Sequence, residues 1–280
     1  MNDLPSLKAG LVEQGLWAKK SFGQHFLLDP SINARIAAFA APLASRPVVE
    51  VGPGPGGLTR ALLEAGASPL IAIEKDRRFL PLLEPLVAWS SGRLRLVEAD
   101  ALVADEAALL RGAKANGAAT IVANLPYNVA TPLLVKWLKA GPWRGPMVLM
   151  FQKEVAQRIV ARAGDDAYGR LAVITQAACT PEIAMTLPPG AFTPAPKVES
   201  AVVRFDPLPA PFAHLDVLER LTAAAFGQRR KMLRASLKRL GLPEALFAAC
   251  GVAPTARAEE IPVEKFLLLA GKMAGGLTGP

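Results

Sequence analysis

Cysteine and histidine are scarce in this chain of 280 residues, which has two of each. Cys179 and Cys250 have no Cys-x-x-Cys spacing and are too few for a disulfide framework, so a zinc ribbon and a disulfide-stapled scaffold are both excluded. A reducing compartment is expected. His25 and His214 stand far apart, and neither follows a candidate sheet strand, so a dehydrogenase-type proton relay has no evident member. No apolar run reaches the ~18 residues of a membrane span. Residues 1–15 mix Asp3, Lys8 and Glu13 with short apolar pieces where a signal peptide would carry its apolar h-region. The expectation is a cytoplasmic protein with no membrane partner and no metal.

What is present is ample core and an excess of positive charge. Hydrophobic residues make up 51% of the chain, enough for one large domain and a small one. Lys and Arg number 32 against 24 Asp and Glu, a net charge of +8 that favours a polyanionic partner. From residue 47 onward, β-rich apolar runs alternate with helical patterns, which predicts a parallel sheet with crossover helices. The spacing predicts strands over 48–51, 70–74, 94–97, 121–124 and 147–151. It predicts helices over 153–163 and 168–179, then two strands over 183–187 and 201–205 around a proline-rich loop, 188–197. Residues 206–211, Asp-Pro-Leu-Pro-Ala-Pro, read as a linker. The expected boundary therefore separates residues 1–206 from a small all-α domain, 207–280, with helices over 214–226, 228–240, 243–250 and 263–274.

Between the first strand and first helix lies Glu50-Val-Gly52-Pro-Gly54-Pro-Gly-Gly57, a literal G-x-G-x-x-G. Such a loop lets backbone approach a ligand at a helix N-terminus, and it serves dinucleotides and S-adenosylmethionine alike. An acid inside an apolar strand, Glu50, suits a cationic ligand better than a pyrophosphate. Glu74 ends the second strand, where a carboxylate can accept from both ribose hydroxyls. Asp100 follows the third strand and reads equally as an acceptor for an adenine amine or as a cap.

The fourth strand runs into Asn124-Leu125-Pro126-Tyr127. An amide oxygen, a carbonyl and a ring at one strand end can hold a planar amino group: Asn124 and Leu125 accept its two hydrogens and Tyr127 stacks on the base. Pro126 disfavours helix at Leu125, leaving that carbonyl out of a helical ladder. Accepting both hydrogens frees the nitrogen lone pair, so positioning and electrostatics suffice for methylation of the amine. The bland reading is a strand followed by a turn with Tyr127 as core filler. Gly52, Glu74, Asp100 and Asn124 all fall at carboxyl ends of strands, where ligands bind in open α/β sheets.

Taken together, Lys20-Ser-Phe-Gly-Gln-His-Phe-Leu27, the 50–59 loop, Ile73-Glu-Lys-Asp76, Asn124–Tyr127, Gln152-Lys-Glu-Val155, Tyr168-Gly-Arg-Leu171 and the 192–200 stretch resemble, in order, the family of ribosomal RNA adenine dimethyltransferases acting on the small subunit. The resemblance implies a Rossmann-like methyltransferase sheet, mostly parallel with an antiparallel last strand. It implies S-adenosyl-L-methionine as methyl donor, contacted by His25, Leu27, Gly52, Gly54, Glu74, Asp100 and Asn124. The target base would meet Asn124, Leu125, Pro126, Tyr127 and Phe192. His25 stands where many members have Asn. The implied partner is the small ribosomal subunit and its rRNA, bound by a monomer. Arg229, Arg230, Lys231, Arg234, Lys238 and Arg239, uninterrupted by any acid, would contact RNA phosphates, with Lys19 and Lys20 adding to them. Three other readings share part of this pattern: a large-subunit rRNA adenine methyltransferase, a non-catalytic RNA-binding assembly factor, and, from the glycine loop alone, a nicotinamide-dependent dehydrogenase.

Overall fold

The computed structural model describes residues 6–16 and 25–275. Lys19, Lys20 and the start of the 20–27 stretch lie outside the described residues. In chain order the first elements are α1 (Leu7–Glu13), β1 (Phe26–Leu27), α2 (Pro30–Phe39), β2 (Val48–Val51), α3 (Gly57–Glu64), β3 (Leu70–Glu74) and α4 (Leu80–Trp89). There follow β4 (Leu94–Glu98), α5 (Glu106–Gly112), β5 (Ala119–Ala123), α6 (Tyr127–Leu138), β6 (Arg144–Gln152), α7 (Lys153–Val160) and α8 (Arg170–Gln176). The chain continues through β7 (Cys179–Leu187), β8 (Phe192–Thr193), β9 (Ser200–Pro207), α9 (Leu215–Gly227), α10 (Leu233–Ser236), α11 (Glu244–Ala249) and α12 (Val263–Ala274).

Seven strands form one sheet in the order β4-β3-β2-β5-β6-β9-β7. Strands β2 to β6 pair in parallel, and the last strand in the chain, β9, runs antiparallel to β6. The parallel part is what the alternation of strands and helices leads one to expect, and the antiparallel last strand is what the family resemblance implies. Every residue of β2, β3 and β5 is buried, as suits β-branched runs covered on both faces. Val48, Leu62, Leu70, Leu83, Val122 and Val148 share one core, each fully buried aliphatic side chain contributing ~1.5–3 kcal/mol.

Register sets what the sheet presents. Val51 lies beside Ile73 on one side and Ala123 on the other, so Gly52, Glu74 and Asn124 all begin where these strands end. Asp100 comes two residues after the Glu98 end of β4. Strand order reverses at β2, with β3 on one side and β5 on the other, and such a switch point opens a crevice for ligands.

The described chain forms two compact units. The first holds the sheet apart from the ends of β7 and β9, through Lys153 and again over Glu182–Asp206; the second holds Glu154–Pro181 and the chain from Pro207. The proline-rich linker marks one crossing between them, but 153/154 and 181/182 carry no such composition. Residues 154–181, read from sequence as part of the sheet domain, belong with the helical unit because their contacts lie there. The Tyr168 hydroxyl donates to the Ile261 carbonyl at 2.9 Å, Arg170 pairs with Glu219 at 2.7 Å, and the Phe226 ring meets those of Tyr168 and Phe266.

The expected helix over 228–240 is broken. Met232 is extended (φ −58°, ψ 149°) and bridges Arg257, while the Leu233 and Arg234 amides donate to the Ala256 and Pro254 carbonyls. Backbone donors that an α-helix would turn inward thus go to another segment, leaving only α10 and a 3₁₀ turn, Lys238–Leu240. The helix expected over 168–179 is confined to α8, and Cys179 already opens β7.

Candidate active site

The glycine loop turns sharply after β2. Gly52, Gly54 and Gly56 have φ of 69°, 53° and 90°, a region that L side chains rarely adopt. A Cβ at Gly56 would sit 2.6 Å from Leu86 Cδ1, so this position also needs the missing side chain. At Gly52 a Cβ would meet no protein atom, and the residue lines a cleft of about 530 Å³. That size falls within the range of small-molecule sites. The same cleft is lined by His25, Leu27, Gly54, Glu74, Asp100 and Asn124–Tyr127.

Glu74 is 6% exposed, and each of its oxygens already accepts an amide: Oε2 from Gly54 at 3.0 Å and Oε1 from Asp76 at 2.8 Å. Burial raises its pKa above the ordinary carboxylate value, and the Asp76 and Gly54 amide bonds oppose the rise. Each oxygen keeps a second lone pair for a hydroxyl donor. Asp100 acts as the cap its sequence position allowed, and it also meets a lysine that the sequence did not suggest. Its Oδ1 accepts from the Leu102 amide at 2.9 Å as a turn cap, and its Oδ2 pairs with Lys75 Nζ at 2.8 Å on the cleft wall. The Lys75 bond, then the Leu102 amide, hold its carboxyl below the usual range.

Glu50 lies beneath the loop and is not among the cleft-lining residues. It is 1% exposed, and neither its oxygens nor Thr59 Oγ1 has a partner in hydrogen-bonding geometry. Burial pushes its pKa up to about 8, with the Thr59 hydroxyl pulling the other way and the Glu74 charge adding to the rise.

At the end of β5, Asn124 Nδ2 donates to the His25 carbonyl at 3.4 Å. Among the described residues its Oδ1 has no donor, and no backbone amide donates to the Leu125 carbonyl. The reason is local: Pro126 (φ −55°, ψ 134°) keeps the chain extended for one more step, and α6 begins only at Tyr127. The Tyr127 hydroxyl bonds Ser200 Oγ at 2.7 Å, which fixes the ring, and burial raises its pKa. The His25 ring lies 5.6 Å from that of Tyr127 at an interplanar angle of 30°, and His25 Nδ1 bonds the Pro194 carbonyl at 2.8 Å. Two free carbonyl-type acceptors and a ring held at its far end therefore share one corner of the cleft.

Phe192 does not line the cleft. It is 4% exposed within the core around Leu27 and Ile36, and β8 pairs it with Leu27. In the helical unit, Arg230, Lys231, Arg234, Lys238 and Arg239 are exposed. Arg229 is exposed too, but its guanidinium is engaged by the protein, donating to Glu259 at 2.8 Å and to the Asp166 and Tyr168 carbonyls at 2.7 and 3.2 Å. Sequence reasoning passed over Ser200 and the cleft residues Phe26, Lys75, Arg77 and Arg78. The signal for them was that Phe26, Lys75 and Ser200 lie within the 20–27, 73–76 and 192–200 stretches and that Arg77 and Arg78 directly follow the second.

Residues 15–274 match the family model described as ribosomal RNA adenine dimethylase. The chain is 58% identical to a ribosomal RNA small subunit methyltransferase A of Phenylobacterium zucineum, over 96% of this chain and 93% of that protein. Among solved structures it is similar to a dimethyladenosine transferase from Plasmodium falciparum, with a TM-score of 0.75 at 26% identity over 90% of this chain and 98% of that one. It is also similar to the 23S rRNA methyltransferase ErmE, with a TM-score of 0.67 at 28% identity over 89% and 99% of the two chains.

Proposed function

The chain belongs to the ribosomal RNA adenine dimethylase family, and on that premise we propose that it transfers methyl groups from S-adenosyl-L-methionine to the exocyclic amines of two adjacent adenosines near the 3′ end of 16S rRNA, a step in small-subunit maturation. The observation that carries this reading is the meeting, around one cleft, of the glycine loop, Glu74, Asp100 and the Asn124–Tyr127 corner.

The residues present fit such a methyl donor. Gly52 and Gly54 let backbone approach it, the second lone pairs of Glu74 suit ribose hydroxyls, and Asp100 suits an adenine amine. Leu27, His25 and Asn124 complete its surroundings. When bound, this cofactor supplies an electrophilic sulfonium methyl. The protein's own part is to present the amine: Asn124 Oδ1 and the Leu125 carbonyl accept its hydrogens and leave its lone pair free, Pro126 keeps that carbonyl out of the helix, and Tyr127 stacks on the base. Stacking of this kind is worth roughly 1–3 kcal/mol per base. Phe192 serves first by holding Leu27 through the β1–β8 pair; stacking on the base would require it to leave the core.

The rRNA phosphates are met by Arg230, Lys231, Arg234, Lys238 and Arg239, with Arg229 tying the segment to Glu259 and Asp166. The partner is the small ribosomal subunit, bound by a monomer in the cytoplasm; among the described residues no helix is long and apolar enough to cross a membrane. The test is incubation with labelled S-adenosylmethionine and separately purified, undermodified small and large subunits, followed by mapping of the modified adenosines. Label on adjacent adenosines of the small subunit is expected. Label confined to large subunits would overturn the substrate assignment.

A further inference from the structure

We propose that the part-buried Lys136 and the buried Glu106 form a clamp that sets the Asp100-bearing loop against the Tyr127-bearing helix, and are thereby positioning residues for cofactor binding. The inference rests on the reading of the cleft given above. Lys136 lies on α6, the helix that Tyr127 opens. Its ammonium reaches the carbonyls of Ala101 and Ala104, each at 2.7 Å, and both oxygens of Glu106, at 2.8 and 2.9 Å. Glu106 is 2% exposed and also accepts from the fully buried Trp137 Nε1 at 2.9 Å. One cation on α6 thus holds two carbonyls of the loop between β4 and α5, together with the first residue of α5.

Besides these bonds the loop is held by the Lys75–Asp100 pair at 2.8 Å and by the buried Ala101. Leu102 and Val103, between the two captured carbonyls, are 40% and 83% exposed. Their burial adds little, so the loop depends on polar bonds at its ends. At its start, Asp100 Oδ1 caps the Leu102 amide and the Asp100 carbonyl accepts from Ala104, so the placement of the carboxylate follows that of the loop. The ionised form of Asp100 is favoured chiefly by the Lys75 bond, with the Lys136 charge a small addition. Well-packed apolar residues can replace a buried ion pair without loss of stability. What they cannot reproduce is one atom that fixes two carbonyls within hydrogen-bonding distance. A role limited to stability would survive neutralisation of the pair, and a positioning role would not.

The discriminating protein is the double variant Lys136→Met, Glu106→Gln, which removes both charges and keeps an acceptor for Trp137. Calorimetric titration with S-adenosylmethionine, thermal melting and amide hydrogen exchange are run on it and on the wild type. The expected result is a Tm close to wild type, at least tenfold weaker binding, and faster exchange at the Leu102 and Ala104 amides. Wild-type affinity and unchanged exchange in the double variant would overturn the clamp. Should that protein fail to fold, Glu106→Gln alone carries the test, with about threefold weaker binding expected and wild-type affinity as the refuting result. Absence of binding by the wild-type chain would instead sink the reading of the cleft, and the clamp's role with it.

Discussion

Glu50 gives the sharpest quantitative expectation. Its carboxyl is 1% exposed, its oxygens are unpartnered, and burial lifts its pKa from an ordinary 4.5 to about 8. Over that interval the folded chain binds a proton that the unfolded chain has already released, so the Glu50 contribution to stability falls as pH rises from about 4.5 to about 8. At 1.36 kcal/mol per pH unit, the accumulated cost above pH 8 is about 5 kcal/mol. Glu50→Gln replaces the acid with a neutral group of nearly the same shape and removes the dependence. Denaturant unfolding of the two proteins in parallel between pH 5 and 8.5 isolates this residue, because other titrating groups cancel in the difference. The stability of the variant relative to wild type should grow by about 4 kcal/mol across that range. A difference that stays flat with pH would refute the reasoning and mean that Glu50 ionises normally inside the sheet.

Asn124→Ala should leave the circular dichroism spectrum unchanged and lower methyl transfer by about 100-fold or more, the scale on which single oriented polar groups act in such sites; undiminished activity would remove Asn124 from the chemistry. Glu74→Ala should weaken S-adenosylmethionine binding by roughly 10- to 100-fold in a calorimetric titration, since hydrogen bonds to a charged group contribute about 1.5–3 kcal/mol. Gly56→Ala combines a φ of 90° with a Cβ 2.6 Å from Leu86 Cδ1, and should lower unfolding stability by about 1–3 kcal/mol in urea. Lys231→Gln with Lys238→Gln should reduce the slope of log K for rRNA against log salt by about 1–2, whereas Arg229→Gln should lower the Tm, because its bonds run to Glu259, Asp166 and Tyr168.

Much of the sheet unit was legible from composition. The strands predicted over 48–51 and 70–74 are β2 and β3 as observed, because buried parallel strands read as short β-branched runs bounded by turn residues. Asn124–Tyr127 sits where the sequence placed it, between a strand and a helix held off by Pro126. The helical unit was harder to read. Residues 228–240 have strong helical composition, yet their amides pair with 254–257, and local propensity does not report a partner so distant in sequence. Residues 154–181 carry no compositional break, and their place in the second unit comes from side chains such as Tyr168 and Arg170 meeting Ile261 and Glu219.

By itself the sequence determined the strand and helix alternation, the glycine turn, the acids at strand ends and the Asn-Leu-Pro-Tyr corner, since each depends on residues adjacent in the chain or on a short period along it. Only the tertiary structure decided which of these groups are free to act. It buries Phe192 and engages Arg229, leaves the Glu50 oxygens without a partner in hydrogen-bonding geometry, and places His25 beside Tyr127. It also brings Lys136 to Glu106 across 30 residues of chain. The physical reason is that a side chain's charge, access and hydrogen-bond state are set by neighbours supplied from elsewhere in the fold, and a charge within a run carries no mark of whether it will meet water or a buried partner.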